Sequence, residues 1–421
     1  MSEAVASPQG QTLPAGISET VNVADVALWD TEAYWAIFER MRREDPVHYC
    51  ADSAYGPYWS VTRYEDIMAV DTNHHVFSSE AKLGGIVIDD RIYNDPESGT
   101  ELVNFIGMDP PRHTGQRRAV NGIVAPTNLE RMEATIRERT AGVLDNLPMG
   151  EEFDWVERVS IELTTRMLAT MFDFPFEDRH KLTRWSDVST AEPGLGIVDT
   201  AEQRIEELME CLAYFTELWN ERVNAEPRPD LVSMLAHGVA TRHMTPMEYL
   251  GNLTLLIVGG NDTTRNSMTG SVYALNKFPA EYEKLKADPG LIPRLVPEVV
   301  RWQTPLAHMR RTALADTELA GKQIRKGDRV VMWYASGNRD ETVFEDAHRL
   351  DIERANARRH LSFGFGIHRC MGMRLAELQL RVLWEEILKR FAHIEVMGEP
   401  ERIRSNFVKG YARLPVRVHP L

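Results

Sequence analysis

Residues 363–372 read Phe-Gly-Phe-Gly-Ile-His-Arg-Cys-Met-Gly and concentrate more chemistry than any other stretch of the 421-residue chain. Cys370 stands among Gly364, Gly366 and Gly372, which tolerate positive φ and close backbone approach. Such a loop can bend tightly around something flat. A helical pattern begins just after the cysteine, at Arg374. The sulfur is therefore expected at a helix N-terminus, where free N–H groups and the helix dipole favour a thiolate. Phe363 is placed to pack against a ring plane, and His368 to reach a carboxylate. Two plainer readings stand beside this one. Cys370 is an ordinary buried thiol in the first. In the second, His360, His368 and Cys370 form a zinc site, although their spacing matches no standard finger.

Four other constellations carry polar groups at helical spacing. Gly259 and Gly260 interrupt an apolar helical run just before Asp262 and Thr263. Glycine inside a helix costs about 1 kcal/mol against alanine, so the pair needs a reason. Small residues at Gly259 and Thr263, four apart, open a groove, and Thr263 can bond back to a carbonyl and distort the helix. Asp262 and Thr263 then make an acid–alcohol pair able to pass protons. Glu298 and Arg301 lie three apart on another helix and can form an ion pair. Asp109 and two prolines open a helix on which His113 and Arg117 share a face. By itself that face reads as a solvated basic surface. Arg310 and Arg311 follow the Glu298 helix.

The elements that must position these groups are mostly helical. Residues 33–44 have helical spacing, and strand patterns follow at Val47–Cys50 and 58–62. From about 110 to 305 the pattern is almost wholly helical, and β-like runs return at 317–335 and 393–418. Thr245 to Glu248 supplies a capping box with proline at the first helical position. The helix it opens runs to about Lys277, roughly 45 Å at 1.5 Å per residue. Residues 82–106 lack periodicity, as a functional loop or lid would. The expectation is a mainly α fold with a minor β portion. A loose lead-in over residues 1–17 precedes one domain over 18–421.

The segment Phe-x-x-Gly-x-His-x-Cys-x-Gly resembles the haem-binding loop of the cytochrome P-450 family, and the other motifs follow in that family's order. The resemblance covers the chain from about residue 30 onward. It implies a triangular-prism fold with haem b between the long central helix and the helix after Cys370. Cys370 would be the axial iron ligand, with Phe363, His368, Gly372 and Gly259 around the haem. His113, Arg117 and Arg311 would meet the propionates, with Arg310 an open alternative to Arg311. Glu298 and Arg301 would be structural, joined by Arg354. Asp262 and Thr263 would deliver protons to dioxygen. A thiolate ligand favours O–O cleavage, so the implied activity is a monooxygenase that hydroxylates an unactivated C–H bond. Residues 255–268 and 301–312 look very like the bacterial branch that attacks the terminal carbon of alkanes, alcohols and fatty acids. By that analogy Ile88, Leu255, Val258, Leu306, Met309 and Phe407 would line the substrate pocket. A terpenoid or other alicyclic substrate is the alternative, and a haem-thiolate gas sensor or carrier the rival of a different class.

Composition narrows the partners. With 48 Lys+Arg against 63 Asp+Glu, the net charge is −15, which argues against general nucleic-acid or anionic-membrane binding. Cys50, Cys211 and Cys370 are sparse and widely spaced, as in a reducing compartment. No signal peptide or membrane-length apolar run is visible, so a cytoplasmic protein is expected. Electrons would come from NAD(P)H through a separate [2Fe-2S] ferredoxin and its reductase. Arg358, Arg359, Arg369 and Arg374 around the cysteine loop are candidates for a docking patch.

Overall fold

The computed structural model describes residues 21–90, 102–191, 193–194 and 196–421. The expected lead-in over 1–17, and 91–101 of the expected loop, lie outside the described residues. The fold is mainly α with a minor β portion. Its axis is the helix Pro246–Lys277, where Thr245 caps the start by accepting from the Glu248 N–H at 3.2 Å. Only half of the expected capping box forms. The Glu248 carboxylate instead takes hydrogen bonds from Gln116 at 2.5 Å and Arg112 at 3.1 Å. That choice ties the central helix to the helix Arg112–Val120.

The central helix runs between two apolar clusters. Leu250, Leu253 and Ile257 belong to one, and Met268, Val272 and Leu275 to the other. The middle of the helix, between the clusters, is where glycine and polar residues sit. Burying two such faces supplies the main driving force for the helix, since propensity contributes little in comparison.

Five short strands form the larger sheet, in the order Val47–Cys50, Tyr58–Val61, Arg329–Met332, Met309–Ala313, Phe77–Ser78. The Tyr58–Val61 and Arg329–Met332 strands are parallel, and the other pairings antiparallel. Two departures from the sequence pattern matter. Met309–Ala313 is a strand lying ahead of the expected β-like run, and the chain turns helical at the end of that run, over Tyr334–Gly337. Strand Glu152–Asp154 interrupts the helical stretch because it pairs with Pro415–Pro420, a partner more than two hundred residues away. No local pattern carries that information.

Helix Ile292–Gln303 buries Glu298 and Arg301 completely. Arg301 donates to both carboxylate oxygens of Glu298 at 2.7 Å and to the carbonyls of Asn338, Ala347 and Arg349. Glu298 also accepts from Arg354 at 3.2 Å and from the Asp351 N–H at 2.9 Å. The structure thus brings together the three residues expected to associate here. Asn338, whose carbonyl Arg301 holds, bonds to Thr304, Ser362 and the Leu361 N–H, and so reaches the approach to the cysteine loop. Removing one member of such a pair leaves an uncompensated buried charge. Glu298→Ala should therefore lower the unfolding free energy by about 3–5 kcal/mol in a urea titration. A loss under about 1 kcal/mol would mean that the network does not hold this region.

Candidate active site

The helix Met373–Leu388 starts three residues after Cys370. The loop before it folds back so that the Cys370 N–H donates to the Phe363 carbonyl at 2.8 Å. Gly364 and Gly366 adopt φ of +62° and +65°. A Cβ on Gly366 would come within 2.6 Å of the Asp71 carbonyl oxygen, so glycine is required there by both torsion and space. Cys370 is open to a cavity of about 1060 Å³ that separates its helix from the central helix. Burial pushes the thiol up from its ordinary value. The backbone N–H groups of Gly372 and Met373 and the charges of Arg117 and Arg369 oppose that shift. Among the described residues, no three His, Cys, Asp or Glu side chains converge as ligands of a free metal ion.

Around the same cavity stand Phe363, His368, Gly372, Arg117, Arg311 and Gly259. His368 is buried with both ring nitrogens unpartnered among the described residues, and its ring lies 4.3 Å from that of His113, centroid to centroid. His113 is equally unpartnered among the described residues, its ring beside that of His368. Arg117 does face the cavity and donates to the Arg369 carbonyl. Asp109 does not cap this helix. Its carboxylate accepts instead from Ser78 Oγ at 2.5 Å and the Ser79 N–H at 3.1 Å, anchoring the segment to the sheet edge.

Strand alternation sends Arg310 and Arg311 in different directions. Arg311 borders the cavity, whereas Arg310 turns to the Leu83 carbonyl and Asp90. Asp71, which sequence reading passed over, holds Arg311 at 2.7 Å. Its other oxygen accepts from the Tyr334 hydroxyl and the Phe365 N–H, both at 2.8 Å. One buried carboxylate thus fixes an arginine and the backbone of the cysteine loop. The only sequence signal for it is an acid on the buried face of an otherwise apolar helix turn.

On the opposite wall, Thr263 donates to the Gly259 carbonyl at 3.0 Å. A Cβ at Gly259 would meet nothing within 4 Å, so the cavity widens there. Asp262 borders the cavity too but is tied sideways. It accepts from Arg265 at 2.9 Å, Ser186 at 3.1 Å and Asn261 at 3.1 Å, and Arg265 reaches on to Asp187 at 3.0 Å. Burial raises its carboxyl to about 6 against the counter-pull of Arg265. Asp262 and Thr263 are neighbours in the chain, yet no hydrogen bond joins their side chains among the described contacts. Ile88, Leu255, Val258, Leu306, Met309 and Phe407 all border the cavity, which is thus predominantly apolar beyond the polar floor. At the outer surface, Arg358, Arg359, Arg369 and Arg374 are exposed. Arg358 pairs with Glu377 at 3.2 Å, and Arg359 lies 3.7 Å from Glu65. No described helix is long and apolar enough to cross a membrane.

Comparison with known proteins adds to this geometry. A family model described as Cytochrome P450 matches residues 291–417. The chain is 38% identical to linalool 8-monooxygenase of Pseudomonas putida, covering 91% of this chain and 95% of the relative. It is 32% identical to a methyl-branched lipid omega-hydroxylase of Mycobacterium tuberculosis, over 94% of this chain and 95% of that protein. Among solved structures it is similar to cytochrome P450-153 from Novosphingobium aromaticivorans. There the TM-score is 0.89 at 49% identity, covering 94% of this chain and 99% of that one. A thiol presented by a glycine-rich loop to a deep apolar cavity, together with relatives matched along almost their whole length, leaves one conclusion: the chain belongs to the cytochrome P450 family, and is a haem b-dependent monooxygenase that takes its electrons from redox partners.

Proposed function

We propose that this monooxygenase hydroxylates the terminal carbon of medium-chain alkanes, alcohols or fatty acids. The observation that carries the reading is the wall of six apolar side chains from four separate segments around one cavity that ends at Cys370. The likeness of residues 255–268 and 301–312 to the terminal-hydroxylating branch supports it, as does the omega-hydroxylase relative. Inner C–H bonds are weaker than terminal ones, so terminal attack requires walls that present only the chain end. A terpenoid is the second reading, favoured by the linalool 8-monooxygenase relative.

The donor set fits haem b. Cys370 would ligate the iron, while Arg117, Arg311, His368 and the neighbouring His113 would hold propionates. Bound through a thiolate, haem supplies reductive cleavage of dioxygen. The balance is RH plus O2, two electrons and two protons, giving ROH and water. The protein's own part is threefold. The apolar walls exclude water and orient the chain. Thr263 holds a hydroxyl at the groove beside Gly259. Asp262, drawn sideways by Arg265 and Ser186, takes protons from the exterior side and passes them inward through water or by a side-chain turn. In this reading residues 18–421 act as one unit in the cytoplasm. The exposed arginines near the cysteine loop receive an acidic [2Fe-2S] ferredoxin, itself reduced by NAD(P)H through a reductase.

The reduced protein with carbon monoxide should show the strongly red-shifted Soret band of thiolate ligation. With a ferredoxin system it should convert n-octane or dodecanoic acid mainly to terminal alcohol. Products confined to terpenoid substrates, linalool included, would favour the terpenoid reading. Thr263→Ala should keep NAD(P)H consumption but release more peroxide per electron pair; unchanged coupling would remove Thr263 from proton delivery. Asp262 makes a pH prediction. Its folded carboxyl titrates at about 6 against 3.8 ordinarily, so the native state holds the extra proton between those values. Stability therefore falls as pH rises through that window. The advantage of Asp262→Asn over the parent in urea titrations should grow from pH 4 to pH 6.5 and then level. A constant difference would rule out the raised carboxyl.

A further inference from the structure

His308 has no part in the chemistry above, yet it is completely buried where two walls of the cavity meet. Residues 305–310 run between them. On one side the Arg310 N–H donates to the Ile86 carbonyl at 2.6 Å. On the other the Ala307 N–H donates to the Phe407 carbonyl at 2.8 Å, and Leu306 forms an isolated bridge with Val408. These backbone bonds tie each wall to the middle segment separately. The imidazole contacts both. Its Nε2 faces the Ile88 N–H at 3.2 Å, and its Nδ1 faces the Asn406 carbonyl at 3.1 Å. The partners dictate the tautomer, because an N–H needs an acceptor and a carbonyl needs a donor. The proton therefore sits on Nδ1 and the lone pair on Nε2. Burial lowers the ring to about 4, so it stays neutral near pH 7. Trp333 and Phe407 lie 4.9 and 5.2 Å from the ring, centroid to centroid, and hold its plane.

Ile86, Ile88, Leu306, Met309 and Phe407 all border the cavity, so the separation of these walls sets its width. We propose that His308 is a specificity-determining positioning residue, clasping the 86–88 and 405–408 segments across the cavity wall and so fixing how narrowly an aliphatic chain is held. A charged ring would lose the bond from Ile88, and the other tautomer would lose both. A carbon ring would lose both while keeping the stacking.

The inference rests on the cavity being the substrate site proposed above, and three variants test it. In His308→Asn the amide stands near the Nδ1 position and retains the bond to Asn406. In His308→Gln it reaches the Nε2 position and retains an acceptor for Ile88. His308→Phe retains neither. Each holoenzyme should keep the carbon monoxide band of the parent. Dodecanoic acid, titrated by its effect on the haem spectrum, should bind roughly five-fold more weakly for each bond lost. The subterminal share of its products should rise in the same order, with Phe highest. Amide exchange at Ile88 should speed up in Asn and Phe but not in Gln. If Phe is too unstable to isolate, the opposite patterns of Asn and Gln carry the test. Should the parent bind no aliphatic chain, the substrate reading fails, and the exchange pattern alone still decides the clasp. Parent-like regiochemistry and binding in all variants, or unchanged Ile88 exchange in Phe and Asn, would overturn the inference.

Discussion

The site depends first on one buried guanidinium. Every N–H of Arg301 is occupied, two by Glu298 and three by the carbonyls of Asn338, Ala347 and Arg349. A pair buried this deeply gains little net stability over well-packed apolar residues of similar volume. What it does here is fix backbone. Those carbonyls belong to irregular chain between the sheet and the cysteine loop, where no ladder would satisfy them. Asn338 carries the constraint onward through Ser362 and Leu361, next to Phe363, whose carbonyl receives the Cys370 N–H. The thiol is thus positioned by hydrogen bonds traceable to a single helix turn.

Asp71 completes the hold from the other side. It touches the loop at the Phe365 N–H and an arginine of the sheet in the same stroke. A carboxylate buried among donors loses water but regains it as charge-assisted bonds, shorter and stronger than neutral ones. The loop therefore cannot shift without moving Arg311. The cysteine loop and Arg311 are thus held as one unit.

The central helix answers a different demand. It must be apolar enough to bury its ends in two clusters and polar in the middle, where the proposed proton delivery needs an acid and a hydroxyl. The two side chains diverge by their helical angle. Thr263 bonds back along the helix, and Asp262 lies among Arg265, Ser186 and Asn261. Low dielectric around Asp262 raises its carboxyl to about 6, which brings it closer to neutral pH than an exposed aspartate. The same network extends through Arg265 to Asp187.

Much of this was legible in the chain itself. Helical spacing, the threonine cap and the glycine-rich cysteine loop are local properties, and torsional sterics and side-chain periodicity act over a few residues. Cys370, Asp262, Thr263, Glu298 and Arg301 stand in such short motifs, and it is the resemblance of those motifs to the family's that singles them out. Tertiary structure decided what depends on distant partners: the strand at Glu152–Asp154, the departure of Asp109 from its cap, and the selection of Arg311 over Arg310 at the cavity. It also revealed Asp71 and His308, whose importance lies wholly in what approaches them from segments 98 to 294 residues away. Sequence determines which groups are available and the local shape that carries them; only packing brings one carboxylate within reach of both an arginine and a loop, because that distance is set by the whole core.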